Sequence, residues 1–278
     1  MPDILLAAIH HGELPGAPAR TVIDDLREDE LVQQVVEITE QPPFTEAIDR
    51  EALAAWRMRQ VALERTWREY LGIATAGREA AARAGSLLFR TRLRLSATFA
   101  AEAWRTRQVE RFVAAKHVQA WRALLAGPWD ALLVVESDAT MQRHSLVALQ
   151  ALIDAEPLAD PGHAAPIARY VNVAGGLSVE DLAVEHLIIE RPAGRMRFGR
   201  PVSNTSCAYL INRPMAVLLL EHLDRSPEDA QLGIDWIFNA CFVECEQRGI
   251  PVHCEHADPP ALGHGSITGV TESWHPRR

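Results

Sequence analysis

Residues 131–141 have the sequence ALLVVESDATM, and this stretch decides the fold. Five apolar residues, 131–135, lead directly into Glu136, Ser137 and Asp138. An uninterrupted apolar run of this length predicts a strand that is buried on both faces of a sheet. Acidic residues at the end of such a strand face the crevice in which open α/β sheets bind ligands. We therefore predict a ligand site at the carboxyl end of this strand.

The spacing of the two acids suggests the kind of ligand. Glu136 and Asp138 are separated by one residue, so both carboxylates could face one divalent cation. Hard cations such as Mg²⁺ and Mn²⁺ prefer oxygen ligands and keep coordination positions open for phosphate oxygens. The alternative is structural, because acidic side chains also favour the first turn of a helix. Spacing alone leaves both interpretations open.

Length and composition are those of a globular protein. The chain has 278 residues, 48% of them hydrophobic and 23% charged, so it can bury a substantial core. The sequence has no apolar run of the roughly 18 residues needed to cross a bilayer. It also lacks a cationic leader, and we expect a cytoplasmic protein without a membrane span.

The four cysteines are few for this length and indicate reduced thiols. A zinc site can be drawn from Cys241, Cys245, His253, Cys254 and His256. However, the sequence contains no CxxC pair, and the i, i+4 spacing of the first two cysteines fits one apolar face of a helix. A buried helix face is therefore the favoured interpretation.

Charge is unevenly distributed along the chain. The net charge is −9, whereas residues 50–122 contain fifteen bases and six acids and carry +9, which leaves −18 for the remainder. Such asymmetry predicts an anionic partner for the basic segment, and DNA is one candidate. A solvated arginine-rich helix face is the alternative. Because Lys116 is the only lysine, the arginine excess also fits a coding bias.

Residues 45–126 predict a helical insertion. Proline is absent there, Ala, Leu, Arg and Glu dominate, and apolar residues recur at intervals of three and four. Within the insertion we predict one helix over residues 97–115 and another over residues 116–125. Its tryptophans are expected to pack in the core.

Outside the insertion, strands alternate with helices, which predicts an α/β fold with a mostly parallel sheet. Residues 21–23 are a candidate short strand, and residues 194–201 (GRMRFGRP) a basic loop. Residues 207–211 (CAYLI) predict a buried strand, followed by a helix with Pro214 in its first turn. We divide the chain into N-terminal strands (1–44), the helical insertion (45–126), the remainder of the sheet domain (127–258) and a tail that closes over the site (259–278).

Three later groups of residues have the chemistry that a metal–phosphate site needs. Asn212 and Arg213 follow the CAYLI strand at a helix N-terminus, where free amides and a guanidinium could receive phosphate; an ordinary strand–helix turn is the alternative. Asp235, beside Trp236, heads an amphipathic helix. An apolar neighbour can raise the pKa of a carboxyl toward that of a general base, but Asp is also a favoured N-cap.

The third group lies in the tail. His264 stands between two glycines and is followed by Ser266. A histidine in such a polar context is not expected in the core, and it could ligate a metal or contact a pyrophosphate. Ser266 could bond a phosphate oxygen. The alternative is a mobile tail with no role in binding.

The order of these pieces resembles family 25 glycosyltransferases, the lipopolysaccharide-biosynthesis type related to procollagen galactosyltransferases. In that family a helix with a histidine and an Ala-Trp pair precedes a strand that ends in E-D-D-A. An AYLIS strand–helix and a P-(I/V)-D motif follow. The corresponding residues in this chain are His117, Ala120 and Trp121, then Glu136, Asp138 and Ala139, then residues 208–211, then Ile234 and Asp235.

The resemblance spans about residues 112–245, and it has departures. Ser137 stands where the family has its middle acid, and Gly233 where it has proline. The family's N-terminal sugar-nucleotide strand has no recognisable counterpart in residues 4–12 or 21–29.

The resemblance implies a GT-A-like, Rossmann-like fold and an inverting enzyme that transfers a sugar from a nucleotide sugar to a glycan or saccharide hydroxyl. A UDP-sugar is the expected donor, and Mn²⁺ or Mg²⁺ the expected cofactor. Asp138 would hold the metal, with Glu136 and His264 as further ligands, and Asp235 would act as the general base. The residues expected to contact the donor are Glu136, Ser137, Asp138, Asn212, Arg213 and Ser266.

Three other functions stay open from the sequence. A glycosyltransferase of modified DNA bases would use basic segment 50–122 to contact phosphates. A non-catalytic binding protein would fit an acidic motif weakened by Ser137. A phosphate-ester hydrolase would use Glu136 and Asp138 for Mg²⁺, with Asp24 or Asp25 as further ligands.

Overall fold

The stretch at residues 131–136 forms a central strand of a large mixed sheet in the computed structural model, which describes residues 2–10, 17–73, 78–155 and 167–269. The eight strands of this sheet are β1 (Ile4–Ile9), β2 (Gln34–Ile38), β3 (Ala131–Glu136), β5 (Ala168–Asn172), β6 (Ile188–Glu190), β7 (Arg195–Phe198), β8 (Ala208–Asn212) and β9 (Val252–Ala257). Two further strands, β4 (Ala139–Met141) and β10 (Leu262–His264), pair with each other.

The sheet has the order β2-β1-β3-β8-β5-β9-β7-β6. The β1–β2, β1–β3 and β5–β9 pairs are parallel, whereas β8 and β7 run antiparallel to their neighbours. Six of the eight strands therefore point the same way. The predicted α/β class with a mostly parallel sheet is confirmed, and the arrangement is consistent with a GT-A-like fold.

Helices cover both faces of the sheet. They are α1 (Ala19–Glu28), α2 (Arg50–Tyr70), α3 (Arg78–Leu95), α4 (Ala97–Ala126), α5 (Ser145–Asp154), α6 (Arg213–Arg225), α7 (Ile234–Gln247) and the single turn α8 (Gly265–Thr268). Short 3₁₀ turns occupy Glu185–Leu187 and Pro227–Gln231. Among the described residues, no helix is long and apolar enough to span a membrane.

The unbroken apolar run of β3 follows from this two-sided cover. Leu132 and Val134 belong to the core that α4, α6 and α7 share with the sheet. Leu133 and Val135 alternate with them and pack in the second core, against α1 and α5. Full burial of each such side chain contributes about 1.5–3 kcal/mol. A strand with polar residues on alternate positions would lose one of these cores.

The helical insertion is built around α4, a single helix of 30 residues. The predicted division at residues 115–116 was wrong, because nothing in this stretch breaks a helix: it contains neither Gly nor Pro. Trp121 of α4 is fully buried and packs against Phe238 of α7, with ring centroids 5.8 Å apart. The insertion therefore shares its hydrophobic core with the sheet. The domain division at residues 45 and 127 stays a prediction.

Two local predictions need correction. Residues 21–23 lie in α1 and not in a strand, since Val22, Ile23 and Leu26 form one buried helical face. Residues 195–198 form β7 and not a loop, since this strand pairs with β9. There Glu255 is fully buried and binds Arg169, Arg195 and Arg197, so the basic side chains of the segment neutralise an internal acid.

Candidate active site

The carboxyl end of β3 opens into a pocket of about 390 Å³. Because β1 and β3 are parallel, with Ile9 opposite Glu136, the acidic residues lie at the edge where both strands end. Residues 137 and 138 form a turn that leads into β4. The polar residues that line the pocket include Glu110, Glu136, Asp138, Asp235, His264 and Ser266.

The short β4–β10 sheet brings His264 to Asp138. His264 is the register partner of Ala139, and Gly265 N–H donates to the Asp138 carbonyl at 2.8 Å. As a result His264 Nδ1 lies 3.2 Å from Asp138 Oδ2. A Cβ at Gly263 would lie 2.3 Å from Thr140 Oγ1 and from Gln142 Nε2, so glycine lets the two strands pair without displacing these side chains. The predicted contact of the tail with the acidic strand end thus has a backbone basis.

Asp138 and His264 each stabilise the charged form of the other. Burial alone would raise the pKa of Asp138, but hydrogen bonds from His264, Cys207 and Ser266, together with the charge of His264, lower it to about 2. Burial opposes protonation of His264, but Asp138 raises its pKa above the ordinary value. The carboxylate is therefore ionised at neutral pH and available to a cation.

Cys207 completes a group of three ligand-bearing side chains. Its Sγ donates to Asp138 Oδ1 at 3.3 Å. Within the described ranges, Asp138, Cys207 and His264 are the only group of three or more His, Cys, Asp or Glu whose ligand atoms lie within 4.8 Å of one another. Burial, followed by the charges of Asp138 and Glu136, raises the pKa of the Cys207 thiol well above its usual value. A carboxylate, an imidazole and a sulfur are donors that suit a divalent cation.

Glu136 lines the pocket but turns toward α4. Its Oε1 lies 3.1 Å from His117 Nε2, and His117 Nδ1 lies 2.7 Å from Tyr209 Oη. Trp121 Nε1 donates to the same Tyr209 oxygen at 2.9 Å. His117 thus bridges Tyr209 and Glu136 through its two ring nitrogens. This buried chain fixes one carboxylate oxygen of Glu136.

Asp235 lines the same pocket from the first turn of α7. The N-cap of this helix is Gly233, so the alternative interpretation of Asp235 as an N-cap was wrong. Asp235 Oδ1 instead accepts hydrogen bonds from Ser203 Oγ and Ser206 Oγ, each at 2.7 Å. Asp235 is half-buried, and its carboxylate is held in one orientation at the pocket.

The two predicted serines have different surroundings. Ser266 Oγ lies 3.0 Å from His264 Nδ1 and lines the pocket. Ser137 lies in the turn between the two acids, and its carbonyl accepts the Ala19 N–H at the start of α1. A contact between the side chain of either serine and a nucleotide-sugar donor stays a prediction.

Sequence reasoning missed Glu110, which lines the pocket from α4. Its carboxyl Cδ lies 3.6 Å from the position that a Cβ on Gly233 would occupy, so α4 meets the start of α7 here. Burial raises the pKa of Glu110 to about 7, and the charge of Asp235 adds to the increase. Trp56, the Gly233 amide and Arg57 offset only part of this effect. No local sequence signal distinguishes Glu110 from the exposed acids of the insertion.

Asn212 and Arg213 do not line this pocket with the acidic residues, which corrects the expectation from sequence. β8 is antiparallel to β3, with Asn212 opposite Ala131, so β8 ends at the other edge of the sheet. Asn212 caps α6 through Met215 N–H. Arg213 donates to four carbonyl groups at the end of α4, those of Leu124, Leu125, Gly127 and Trp129, at 2.8–3.2 Å. Both side chains stabilise helix ends.

The zinc site considered from the sequence does not form. Cys241 and Cys245 lie on the buried face of α7, and Cys254 is buried in β9. Among the described residues, only Asp138, Cys207 and His264 bring three potential metal ligands together. The expected packing of the i, i+4 cysteines in the core is confirmed.

Part of the charge of basic segment 50–122 is neutralised within the chain. Arg59 binds Asp229 through two hydrogen bonds, at 2.6 and 2.7 Å, and Arg68 binds Glu64. DNA contact by this segment stays a prediction.

Comparisons with known proteins add little to this geometry. No protein-family model matches the chain, and no curated protein sequence matches it. Among solved structures, the chain is similar to a glycosyltransferase involved in the glycosylation of the major capsid of PBCV-1. The two share 9% sequence identity, with 95% of this chain and 92% of that chain covered and a TM-score of 0.38. At these values the similarity carries no argument about function.

Proposed function

We propose that the chain is a metal-dependent glycosyltransferase that moves a sugar from a nucleotide-sugar donor to an acceptor hydroxyl. One observation carries the proposal: Asp138 at the end of β3 and His264 of the tail meet in a pocket that Asp235 also lines. The ordered motifs that resemble family 25 glycosyltransferases lead to the same assignment.

The region of the pocket around Asp138 is our candidate for the diphosphate of the donor. The leaving nucleoside diphosphate gains negative charge as the glycosidic bond breaks, and a bound divalent cation would neutralise that charge. Asp138 and His264 are the residues that would hold the cation. The resemblance implies a UDP-sugar as donor and Mn²⁺ or Mg²⁺ as cofactor. Glu136, fixed by His117, is left to orient the sugar or ribose hydroxyl groups.

Two further carboxyl groups line the pocket and are our candidates to act on the acceptor. Asp235, oriented by Ser203 and Ser206, is our candidate for the base that takes the proton of the acceptor hydroxyl in an inverting transfer. Glu110 lines the same pocket and can hold or take a proton near neutral pH. The proposed acceptor is a glycan or saccharide hydroxyl. A DNA acceptor would rest on segment 50–122 alone.

The proposal is tested by thermal stabilisation of the protein by nucleotide sugars, with and without divalent cations. A donor present at 100 times its Kd stabilises by about 2.7 kcal/mol, which raises the Tm of a chain of this size by about 5–10 °C. We expect such a shift for one donor class, only with the cation, and its loss in Asp138→Asn.

The matched control is Asp154→Asn, an exposed position at the end of α5, which should respond as the wild type does. Asp138→Asn also removes the contact with His264, so each variant is compared with itself in the absence of donor. Metal-independent stabilisation, or equal stabilisation of Asp138→Asn, would contradict the assignment of the donor site.

A further inference from the structure

A thiol lies among the candidate cation ligands. Cys207 Sγ is 3.3 Å from Asp138 Oδ1, and His264 Nδ1 is 3.2 Å from Asp138 Oδ2. The ligand atoms of all three residues lie within 4.8 Å of one another. Neither the acidic motif nor the resemblance to glycosyltransferases predicts a sulfur here.

The backbone holds Cys207 in place. Its carbonyl accepts the Glu136 N–H at 2.8 Å, and its own N–H donates to the Thr205 carbonyl at 2.8 Å. The side chain is 2% exposed. Thr205, which also lines the pocket, has a φ of 45°. That conformation costs a residue other than glycine about 1–3 kcal/mol and is typical of functional sites.

The three ligands come from three separate elements of the fold. Asp138 follows β3, Cys207 precedes β8, and His264 ends β10. Because β8 is antiparallel to β3, its first residues lie beside the last residues of β3. The reversal of β8 that removes Asn212 from the site is therefore what brings Cys207 to it.

We propose that Asp138, Cys207 and His264 bind one divalent cation through a carboxylate, a thiolate and an imidazole, and that this set prefers Zn²⁺ or Co²⁺ to Mg²⁺ and Mn²⁺. Thiolate ligands favour the softer ions, whereas Mg²⁺ and Mn²⁺ sites are built from oxygen. On binding, the Cys207 thiol and the His264 ring nitrogen that ligates the cation each lose a proton to the solvent, and the sulfur and that nitrogen form the bonds to the cation. Three protein ligands leave a position open for a phosphate oxygen or water.

The inference depends on the proposed function only for the role of the cation. Cation binding is measured without donor or acceptor, so the two claims fail separately. If the protein binds a cation through sulfur but recognises no nucleotide sugar, the inference holds and the glycosyltransferase assignment is overturned. A protein that uses a donor with Mn²⁺ but shows no sulfur ligation would do the reverse.

The experiment is a Co²⁺ titration of the full chain, followed by ultraviolet and visible absorption. Wild type should give an intense near-ultraviolet sulfur-to-cobalt charge-transfer band that saturates at one Co²⁺ per chain. The band should vanish in Cys207→Ser and persist in Cys254→Ser. Cys254 is a suitable control because its thiol is equally buried and lies against the Val202 carbonyl, a contact that a serine hydroxyl keeps.

Competition against Zn²⁺ and Mn²⁺ then tests the preference. Zn²⁺ binds most sites more tightly than Mn²⁺, so the informative quantity is the change on mutation. Loss of even an outer-shell partner lowers metal affinity about 10- to 100-fold. We expect Cys207→Ser to lower the affinity for Zn²⁺ by at least that factor and the affinity for Mn²⁺ by much less. The ratio of the two affinities should therefore fall.

Circular dichroism verifies that Cys207→Ser is folded, and Cys207→Ala is the second variant if it is not. A wild-type protein without the charge-transfer band would overturn the proposal. A charge-transfer band that survives in the folded Cys207 variant would also overturn it. So would a ratio of Zn²⁺ affinity to Mn²⁺ affinity that is the same in the variant as in wild type.

Discussion

Replacement of Glu110 by Gln isolates one buried carboxyl group. Glu110 lies between α4 and the start of α7, and its Oε2 atom is buried. Burial raises its pKa in the folded protein from 4.5 to about 7. The folded state therefore binds this proton more tightly than the unfolded state. Below pH 4.5 both states are protonated and the group costs nothing. As the pH rises from 4.5 through 7, the folded state must ionise a buried acid, and stability is lost.

The size of the effect follows from the shift. Each pKa unit corresponds to 1.36 kcal/mol, so the full cost above pH 7 is about 3 kcal/mol. Most of that cost develops between about pH 5 and pH 8. The glutamine of Glu110→Gln has no proton to lose, and the variant should gain about 2–3 kcal/mol relative to wild type over this interval.

The assay is urea unfolding of wild type and Glu110→Gln at pH 5, 6, 7 and 8. Comparison of the two proteins at each pH cancels every other titrating group. Glu102→Gln provides the control, since it makes the same substitution at an exposed position of α4; its difference from wild type should not change with pH. A difference between Glu110→Gln and wild type that is constant from pH 5 to pH 8 would refute the reasoning.

Two further predictions concern catalysis and stability. Asp235→Asn should keep donor binding but lower transfer by about 10²–10⁴-fold, because the amide cannot take the acceptor proton; donor binding and the rate of transfer are measured separately, and wild-type transfer would exclude Asp235 as the base. Arg213→Ala should destabilise the protein by about 3 kcal/mol in urea unfolding, because it removes charged hydrogen bonds to the end of α4. A loss of donor binding without loss of stability would instead return Arg213 to the site.

Some predictions that depended on local pattern agree with the structure, whereas the strand at residues 21–23, the loop at residues 194–201 and the helix division at residues 115–116 were wrong. β3 is recognisable because its apolar run is continuous, and a strand buried on both faces has no polar alternation. The helix that follows β8 begins with Pro214 in its first turn, as predicted, and Asn212 caps it. These features are set by neighbours in the sequence.

The errors at the site share one physical origin, the direction of β8. A parallel β8 would have brought Asn212 and Arg213 to the edge where β3 ends. Because β8 is antiparallel to β3, the start of β8 lies at that edge, and Cys207, which precedes it, is brought there instead. Strand direction depends on the path of the whole chain, and the five residues of β8 do not encode it. Glu110 was missed for a similar reason, since its burial depends on where α4 crosses the start of α7.

The central claim is tested most directly by release of nucleoside diphosphate from nucleotide sugars, in the presence of saccharide acceptors and each of Mg²⁺, Mn²⁺, Co²⁺ and Zn²⁺. The account predicts cation-dependent release from one donor class by wild type and by Asp154→Asn. Asp138→Asn should be slower by about 100-fold or more, since it loses charge stabilisation in the transition state. Absence of release from every donor with every cation, or equal release by Asp138→Asn, would contradict the account.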